Sequence, residues 1–326
     1  MKTVSILVPE SSVMQGIADP RYLFTAVNAF LESSGRPALF QVQLVGLSKE
    51  VKLNGGVFSI HTDLLLDEVK KTDLVIVPPL FGDLDTAIKL NEKLIPWIVD
   101  QYQKGAEVAS LCVGAFLLAS TGLLDGRKCS THWFFANKFR TMFPNVEMVD
   151  EKTITEEKRV YSSGGANSYW NLLLYLVEKY TNRDMAILAS KYFVIDMGRN
   201  DQSQFMIFKG QKEHEDELVK NAQEYIEQNF QNKITVDELS DRFSIVRRTF
   251  ERRFKKSTHN TVVEYMQRVK IEAAKKSFET SRKTINEVMY DVGYTDIKAF
   301  RDVFKKITGM PPVDYRNKYS RGAAML

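Results

Sequence analysis

The chain has 326 residues, which is long for one hydrophobic core and favours two domains. Its net charge of +4 hides an asymmetry, because residues 221–326 carry 21 Lys and Arg against 14 Asp and Glu, whereas residues 1–220 carry 24 against 27. Only two cysteines occur, and the sequence shows neither a signal peptide nor an apolar run of about 18 residues, so we expect a cytoplasmic protein without disulfides or a membrane span.

Residues 1–208 alternate short apolar runs with helical patterns. The predicted strands are 4–8, 42–47, 74–77 and 108–111, and the predicted helices include 22–32 and 91–104. Alternation of this kind is typical of a parallel sheet with helices on both faces. We therefore predict an α/β domain with a flavodoxin-like sheet over residues 1–208.

Cys112 follows a predicted strand and precedes the helical run 114–119, and Gly114 keeps the turn between them tight. A strand-turn-helix elbow of this kind presents a nucleophile at the carboxyl edge of a parallel sheet. The dipole and free amides of a helix N-terminus favour a thiolate, so we expect the thiolate of Cys112 to be favoured.

A charged stretch at 209–217 is almost free of apolar residues, and we predict an exposed linker over residues 209–220.

Beyond the linker, in residues 221–326, one sequence motif occurs twice: residues 250–258 read FERRFKKST and residues 300–308 read FRDVFKKIT, with five of nine positions identical. Each copy follows a Thr-x-x-Glu capping box, at Thr235 and at Thr284, and then a turn, at Ser244 and at Gly293. A capped helix, a turn and a second amphipathic helix predict a helix-turn-helix unit, present twice in an all-α domain.

The second helix of the first unit has two faces. On a helical wheel Phe250 and Phe254 lie on one side, and Arg248, Arg252 and Lys255 lie on the other. Cations on an exposed face attract phosphates and can pair with guanine edges in the major groove. A solvated basic face would look the same in a single helix, but the capped and duplicated unit favours double-stranded DNA as the partner.

The last hundred residues resemble an AraC-type DNA-binding domain, in which one long helix, here 261–279, joins two such units. The segments 291–295 (DVGYT), 309–312 (GMPP) and 315–316 (YR) match the family signature. The resemblance places Arg248, Glu251 and Arg252, and in the second unit Ile297, Lys298, Ala299 and Asp302, at base-facing positions. With their basic neighbours, the candidate DNA contacts are Arg247, Arg248, Glu251, Arg252, Lys255, Lys298, Ala299, Arg301, Asp302 and Lys305.

Two positions depart from the AraC pattern. Asp302 stands where the family often has a basic or polar residue, and an acid is repelled by phosphate. Val246 stands where a capping Ser is usual. Because Asp302 lies in the second unit, we expect the helix of the first unit to be the stronger reader of DNA sequence.

The N-terminal domain resembles the PfpI protease-like (class I glutamine amidotransferase-like) superfamily, and more closely its GlxA-type branch of AraC-type regulators. The motifs that carry this resemblance are 111–116 (LCVGAF), 122–126 (GLLDG), 130–133 (STHW), 164–172 (GGANSYWNL) and 196–205 (DMGRNDQSQF). It implies that Cys112 takes the elbow position and His132 that of the pocket histidine. The ligand-pocket candidates are therefore Cys112, His132 and Trp133, the last as a wall.

Catalysis by a cysteine needs a base and a group that orients the base. Protease members of the superfamily place a His directly after the Cys, where this chain has Val113, and many relatives carry a Glu at about the position of Gln15 and Gly16. Asp19 comes later. Only Cys112 and His132 remain, so we predict no catalytic residues, a pocket retained for binding, and a protein that is not an enzyme.

We therefore predict a transcription regulator that binds DNA and responds to a small-molecule effector of unknown identity, with a homodimer as its expected state and RNA polymerase as a further candidate partner. His61, His214 and His259 show no metal-ligand spacing, so we predict neither a metal nor a cofactor. Two alternatives stay open. One is a cysteine-dependent hydrolase or lyase with an attached DNA-binding domain; the other is an N-terminal domain that serves dimerisation alone.

Overall fold

The computed structural model describes residues 1–198 and 201–320. The chain divides into two compact units, unit 1 over Met1–Gln202 and unit 2 over Ser203–Leu326. Unit 2 thus reaches back to Ser203, and a helix begins at Glu217, inside the stretch 209–220 that the sequence suggested as a linker.

Unit 1 is built on a seven-stranded sheet with the strand order β10-β11-β7-β6-β1-β2-β5. The strands are β1 (Lys2–Val8), β2 (Phe40–Gly46), β3 (Glu50–Leu53), β4 (Phe58–His61), β5 (Leu64–Leu65), β6 (Leu74–Val77), β7 (Glu107–Ser110), β8 (Lys128–Cys129), β9 (Glu147–Met148), β10 (Ile154–Glu157) and β11 (Val160–Ser163). Neighbours in this sheet pair in parallel, except that β10 is antiparallel to β11. The remaining strands form two short pairs, the β3–β4 hairpin and β8–β9.

Helices cover both faces of this sheet. They are α1 (Gln15–Ser33), α2 (Leu84–Leu90), α3 (Leu94–Gln103), α4 (Ala115–Ala119), α5 (Ala136–Met142), α6 (Tyr169–Tyr180) and α7 (Arg183–Phe193). Side chains alternate between the faces: Val4 and Ile6 pack with α1, α6 and α7, whereas Leu7 packs with α3 and α4. The predicted α/β domain with a parallel sheet between two helical layers is confirmed.

The predicted strands correspond to β1, β2, β6 and β7, but two predicted helices have different starts. The helix predicted at 91–104 begins only at Leu94, because the side chain of Asn91 is buried and donates to the carbonyls of Glu10 and Ala87, at 2.7 and 2.8 Å. The helix predicted at 22–32 begins at Gln15 and includes Pro20.

Unit 2 is all-α. Its helices are α8 (Glu217–Gln228), α9 (Val236–Arg242), α10 (Arg247–Thr258), α11 (Val262–Thr280), α12 (Ile285–Asp291), α13 (Ile297–Thr308) and α14 (Pro312–Tyr319). We call α8, α9 and α10 module 1 and α12, α13 and α14 module 2. Each module has its own apolar core, and α11 contributes Tyr265 to the first and Phe278 to the second. The pairs α9–α10 and α12–α13 are the two predicted helix-turn-helix units.

Candidate nucleic-acid interface and cysteine pocket

Cys112 lies at an elbow just beyond the carboxyl end of β7. Its φ of 53° is in the left-handed region, which a residue other than glycine seldom adopts. The amide of Cys112 donates to Ser163 Oγ at 3.3 Å, and its carbonyl accepts from the hydroxyl of Thr131 at 2.9 Å. The strained backbone is therefore held from two sides, by β11 and by the segment that carries His132.

Gly114 lets the elbow lie directly against the end of β6. A Cβ atom at this position would come within 2.5 Å of the carbonyl oxygens of Val77 and Pro78, so no side chain fits. The sequence-based reason for this glycine, a tight turn between strand and helix, holds. Close contact with the neighbouring strand is the physical requirement.

The expectation that the thiolate of Cys112 is favoured is wrong. The residue is 4% exposed, and burial raises the pKa of the thiol to about 12, although the amide of Val113 works in the opposite direction. The free-energy cost of removing the thiolate from water exceeds the stabilisation that one amide and the N-terminus of a short helix provide. At neutral pH the group is a neutral thiol, which is a weak nucleophile.

His132 is fixed as a hydrogen-bond donor. Its Nδ1 accepts from the amide of Phe134 at 3.1 Å, so in the neutral ring the proton lies on Nε2. Burial lowers the pKa of the imidazole and favours this neutral form. No carboxylate of the described residues hydrogen-bonds to the ring, whose neighbours are the rings of Trp133 and Phe135, at 5.5 and 6.1 Å. With Nδ1 occupied, the ring offers an N–H donor.

Sequence patterns did not predict that Tyr169 and Asp19 meet. The hydroxyl of Tyr169 donates to Asp19 at 2.6 Å, and the indole of Trp170 donates to the same oxygen at 3.1 Å. Burial raises the pKa of Tyr169, and so does its hydrogen bond to Asp19. Asp19 therefore accepts from Tyr169 and Trp170, and no hydrogen bond between described residues joins it to His132.

Gln202, the last residue of unit 1, ties the end of the unit to the same region. It is 1% exposed, and its side-chain amide donates to the carbonyls of Thr131 and Asp150, at 3.0 and 2.7 Å. Thr131 is the residue that holds the carbonyl of Cys112. Gln202 belongs to the motif 196–205, in which Arg199 and Asn200 lie outside the described residues.

The ten candidate DNA contacts are all exposed. Arg248, Arg252 and Lys255 lie on the face of α10 opposite the buried Phe250 and Phe254. The ten candidates differ in their partners. Arg247 pairs with Asp237 at 2.9 Å and with Glu251 at 3.4 Å, and these pairs raise its pKa. Within the part of unit 2 that the structure describes, Arg248, Arg252 and Lys255 form no ion pair.

On α13, Lys298, Arg301, Asp302 and Lys305 likewise have no ion-pair partner among the described residues of unit 2. Ala299 lies in the first turn of the helix, where its amide donates to the capping Asp296 at 2.6 Å. Both second helices therefore present three candidate cations without an ion-pair partner among the described residues, and on α13 the acidic Asp302 lies beside them.

Comparison with known proteins agrees with both halves of this description. Residues 21–179 match the DJ-1/PfpI family, and residues 239–318 match a helix-turn-helix domain. The HTH-type transcriptional regulator GbdR of Pseudomonas aeruginosa is 26% identical over 258 residues, which cover 79% of this chain and 69% of GbdR. The chain thus combines a domain that matches the DJ-1/PfpI family with an AraC-type helix-turn-helix domain, and it is similar to HTH-type transcriptional regulators.

Two solved structures support the fold of the N-terminal domain. A Vibrio parahaemolyticus protein superposes with a TM-score of 0.52 at 24% identity, covering 59% of this chain and 98% of its own. A ThiJ/PfpI family protein from Pseudomonas syringae gives 0.51 at 15% identity, covering 60% and 76%. Relatives such as GbdR are named as regulators, which supports a DNA-binding regulator over an enzyme. None of the described helices is long and apolar enough to cross a membrane.

Proposed function

We propose that this regulator responds to a small molecule bound beside Cys112. The observation that carries the proposal is the state of His132, whose Nδ1 accepts from a backbone amide and whose Nε2 is left as a donor. A donor fixed in direction suits recognition of a ligand oxygen, whereas a catalytic base needs a free lone pair. The buried neutral thiol of Cys112 also favours ligand binding over catalysis.

Hydrogen bonds also connect the proposed ligand site to the end of unit 1. Thr131 hydrogen-bonds to Cys112 on one side and to Gln202 on the other, and unit 2 begins at the next residue of the chain. A ligand that changes the position of Thr131 changes the anchoring of Gln202. Such a ligand controls transcription only if it binds one arrangement of the chain better than the other.

On the DNA side, we assign the main sequence-reading role to Arg248 and Arg252 of α10 and a phosphate-binding role to Lys255. These cations are exposed and unpaired in the described part of unit 2. We further propose that the regulator works in the cytoplasm as a homodimer, because two copies double the DNA contact and let the N-terminal units set the distance between half-sites. RNA polymerase is the partner that an activator of this design would recruit.

A thermal-shift screen of the full-length protein against a metabolite library tests the sensor role. A true effector should raise the melting temperature by about 5–10 °C at a concentration about 100 times its Kd. Cys112→Ser and His132→Ala should lose most of this shift. Cys129→Ser is the control for the loss of a buried thiol, because Cys129 is also buried in unit 1 and its pKa is also raised to about 12, but its thiol donates to the carbonyl of Ser130.

The rival hydrolase reading predicts a different result. Steady-state hydrolysis of an amide or ester by the wild type, lost in both Cys112→Ser and His132→Ala, would overturn the sensor proposal. A ligand that stabilised all three variants equally would show that the effector binds elsewhere.

A further inference from the structure

Residues 203–216, which we call the strap, precede the first helix of unit 2 and contact both modules. At its start, Gln204 accepts from the ammonium of Lys318 at 2.7 Å, and the same ammonium lies 5.6 Å from the ring centre of Phe205. Lys318 belongs to α14, so the strap begins on module 2.

The middle of the strap is fixed to α11 by a buried ion pair. Lys275, whose side chain is 5% exposed, donates to the carbonyl of Met206 at 2.5 Å and to Glu272 at 2.8 Å. Glu272 in turn accepts from the amide of Phe208 at 3.1 Å. A buried ammonium is costly unless its hydrogen bonds are satisfied, and here the strap supplies one of them.

The end of the strap is fixed to module 1. Lys212 pairs with Glu227 of α8 at 2.7 Å. Asp216 caps α8 by accepting from the amide of Val219 and binds Arg253 of α10 through two hydrogen bonds, at 2.6 and 2.9 Å. Paired contacts of this kind between a carboxylate and a guanidinium fix orientation as well as distance. The strap therefore ends on the helix that carries Arg248 and Arg252.

The two modules have separate cores, and links other than the strap also join them. One is α11 itself. Another is an edge contact at which Gly293 of module 2 lies against the carbonyl of Gln231, and Lys270 of α11 donates to the carbonyls of both neighbouring loops, at Asn232 and Val292. The strap adds a further connection, from α14 across α11 to α10.

We propose that the strap fixes the separation of α10 and α13 and so determines which spacing between two DNA contact blocks the regulator accepts. Two readers on a rigid frame engage both blocks only when the blocks match their separation, whereas loosely joined readers tolerate a mismatch. The inference rests on the proposed use of both helices as readers. It assigns Asp216 and Lys275, which touch no DNA, as positioning residues.

The test uses full-length protein and an operator selected by the wild type from random-sequence DNA, together with derivatives that carry one base pair more or less between the two blocks. The wild type should lose about tenfold or more in affinity on each derivative. In Asp216→Asn and Lys275→Met this spacing penalty should fall to about threefold or less, while affinity for the native spacing drops. Asn keeps the cap of α8, because Asn caps helices as well as Asp does.

Lys283→Met is the matched control, since Lys283 pairs with Asp291 within module 2, at 2.7 Å, and does not touch the strap. It should keep the full spacing penalty. If the strap variants lost affinity by the same factor on every spacing, or kept the wild-type profile, the strap would be only a stabilising segment and the proposal would be overturned.

Arg248→Ala separates this test from the assignment of α10 as a reader. It should weaken binding to every derivative and leave the spacing penalty unchanged. Unweakened binding by Arg248→Ala would count against α10 as a reader of DNA, whatever the strap variants show. Circular dichroism of each variant checks the fold, and Asp216→Asn alone is sufficient should Lys275→Met unfold.

Discussion

The two helix-turn-helix modules have the same backbone conformation in their turns and at their helix ends, but different residues adopt it. In each turn a residue with positive φ is followed by the same hydrogen-bond pattern: Ser244 at 50° in module 1 and Gly293 at 74° in module 2. The residue after the second helix is also left-handed, His259 in α10 and Gly309 in α13. Module 2 thus uses glycine at both positions, and module 1 at neither.

The helix N-termini differ in the same direction. Asp296 caps α13 with its side chain, whereas Val246 precedes α10 and makes no capping bond. Module 2 therefore follows the rules of local stability, whereas module 1 departs from them three times. Departures from local rules are expected where a sequence serves recognition. The comparison suggests that module 1 is the stronger reader of the operator and module 2 the weaker one.

The largest effect should come from exchanging the turn residues. Gly293→Ala should lower the free energy of unfolding of unit 2 by about 2–5 kcal/mol, because a left-handed alanine is strained and its Cβ would come within 2.1 Å of the carbonyl of Gln231. Ser244→Gly should instead leave stability unchanged or raise it by up to about 1 kcal/mol. Urea denaturation measures both changes.

Gly35→Ala provides the control for this pair, because Gly35 has the same φ of 74° but has no neighbour within 4 Å of an added Cβ. It isolates the cost of the backbone conformation. If Gly293→Ala lowered the free energy of unfolding no more than Gly35→Ala does, the close contact between Gly293 and the carbonyl of Gln231 would be contradicted.

The next effect concerns DNA affinity. Arg248→Ala or Arg252→Ala should each weaken operator binding by about 1–3 kcal/mol, if the side chain pairs with a base edge, and should relax specificity at one base position. Lys298→Ala on α13 should cost less than about 1 kcal/mol. Fluorescence anisotropy at fixed salt gives the dissociation constants.

Arg247→Ala is a matched control within α10, since Arg247 already pairs with Asp237 and Glu251. Its loss should weaken binding less than the loss of Arg248. Equal losses for Arg248→Ala and Lys298→Ala would mean that the two modules read DNA equally.

A smaller effect is expected from giving module 1 the cap that it lacks. Val246→Asp should raise the free energy of unfolding of unit 2 by about 0.5–2 kcal/mol, because a carboxylate at this position can accept from the free amides of the first turn of α10. Asp296→Ala should lower stability by a similar amount. Absence of a gain in Val246→Asp would show that the first turn of α10 is already satisfied in another way.

The smallest effect should come from Asp302 on the exposed face of α13. Asp302→Ala should leave operator affinity unchanged or raise it slightly, because the change removes repulsion from phosphates. Binding to single-base variants of the operator checks this expectation. A large loss confined to one base position would reveal that Asp302 accepts a hydrogen bond from cytosine.

Periodic and repeated patterns predicted the architecture well. Both capping boxes, at Thr235 and Thr284, are present in the structure, and the aromatic stripes of α10 and α13 are buried. Such features depend on residues three or four apart, which a sequence displays directly. The elbow at Cys112 was predictable for the same reason.

Features that depend on distant residues were not predictable. The state of the Cys112 thiol depends on how completely other segments bury it, and Tyr169 meets Asp19 across 150 positions of the chain. The strap is the clearest case. Its density of charge indicated an exposed linker, but His214 forms a hydrogen bond with Gln223 at 3.0 Å, and Lys212 and Asp216 form ion pairs with helices of unit 2.

The strap also fixes where this protein can be divided. A fragment that starts at residue 221 would lose the first turn of α8, the cap at Asp216 and the carbonyl of Met206 that accepts from Lys275. A fragment that starts at Ser203 keeps all three. The same boundary applies to fusions with another N-terminal domain. A junction downstream of Ser203 removes part or all of the strap, whereas a junction upstream of Ser203 retains the complete DNA-binding unit.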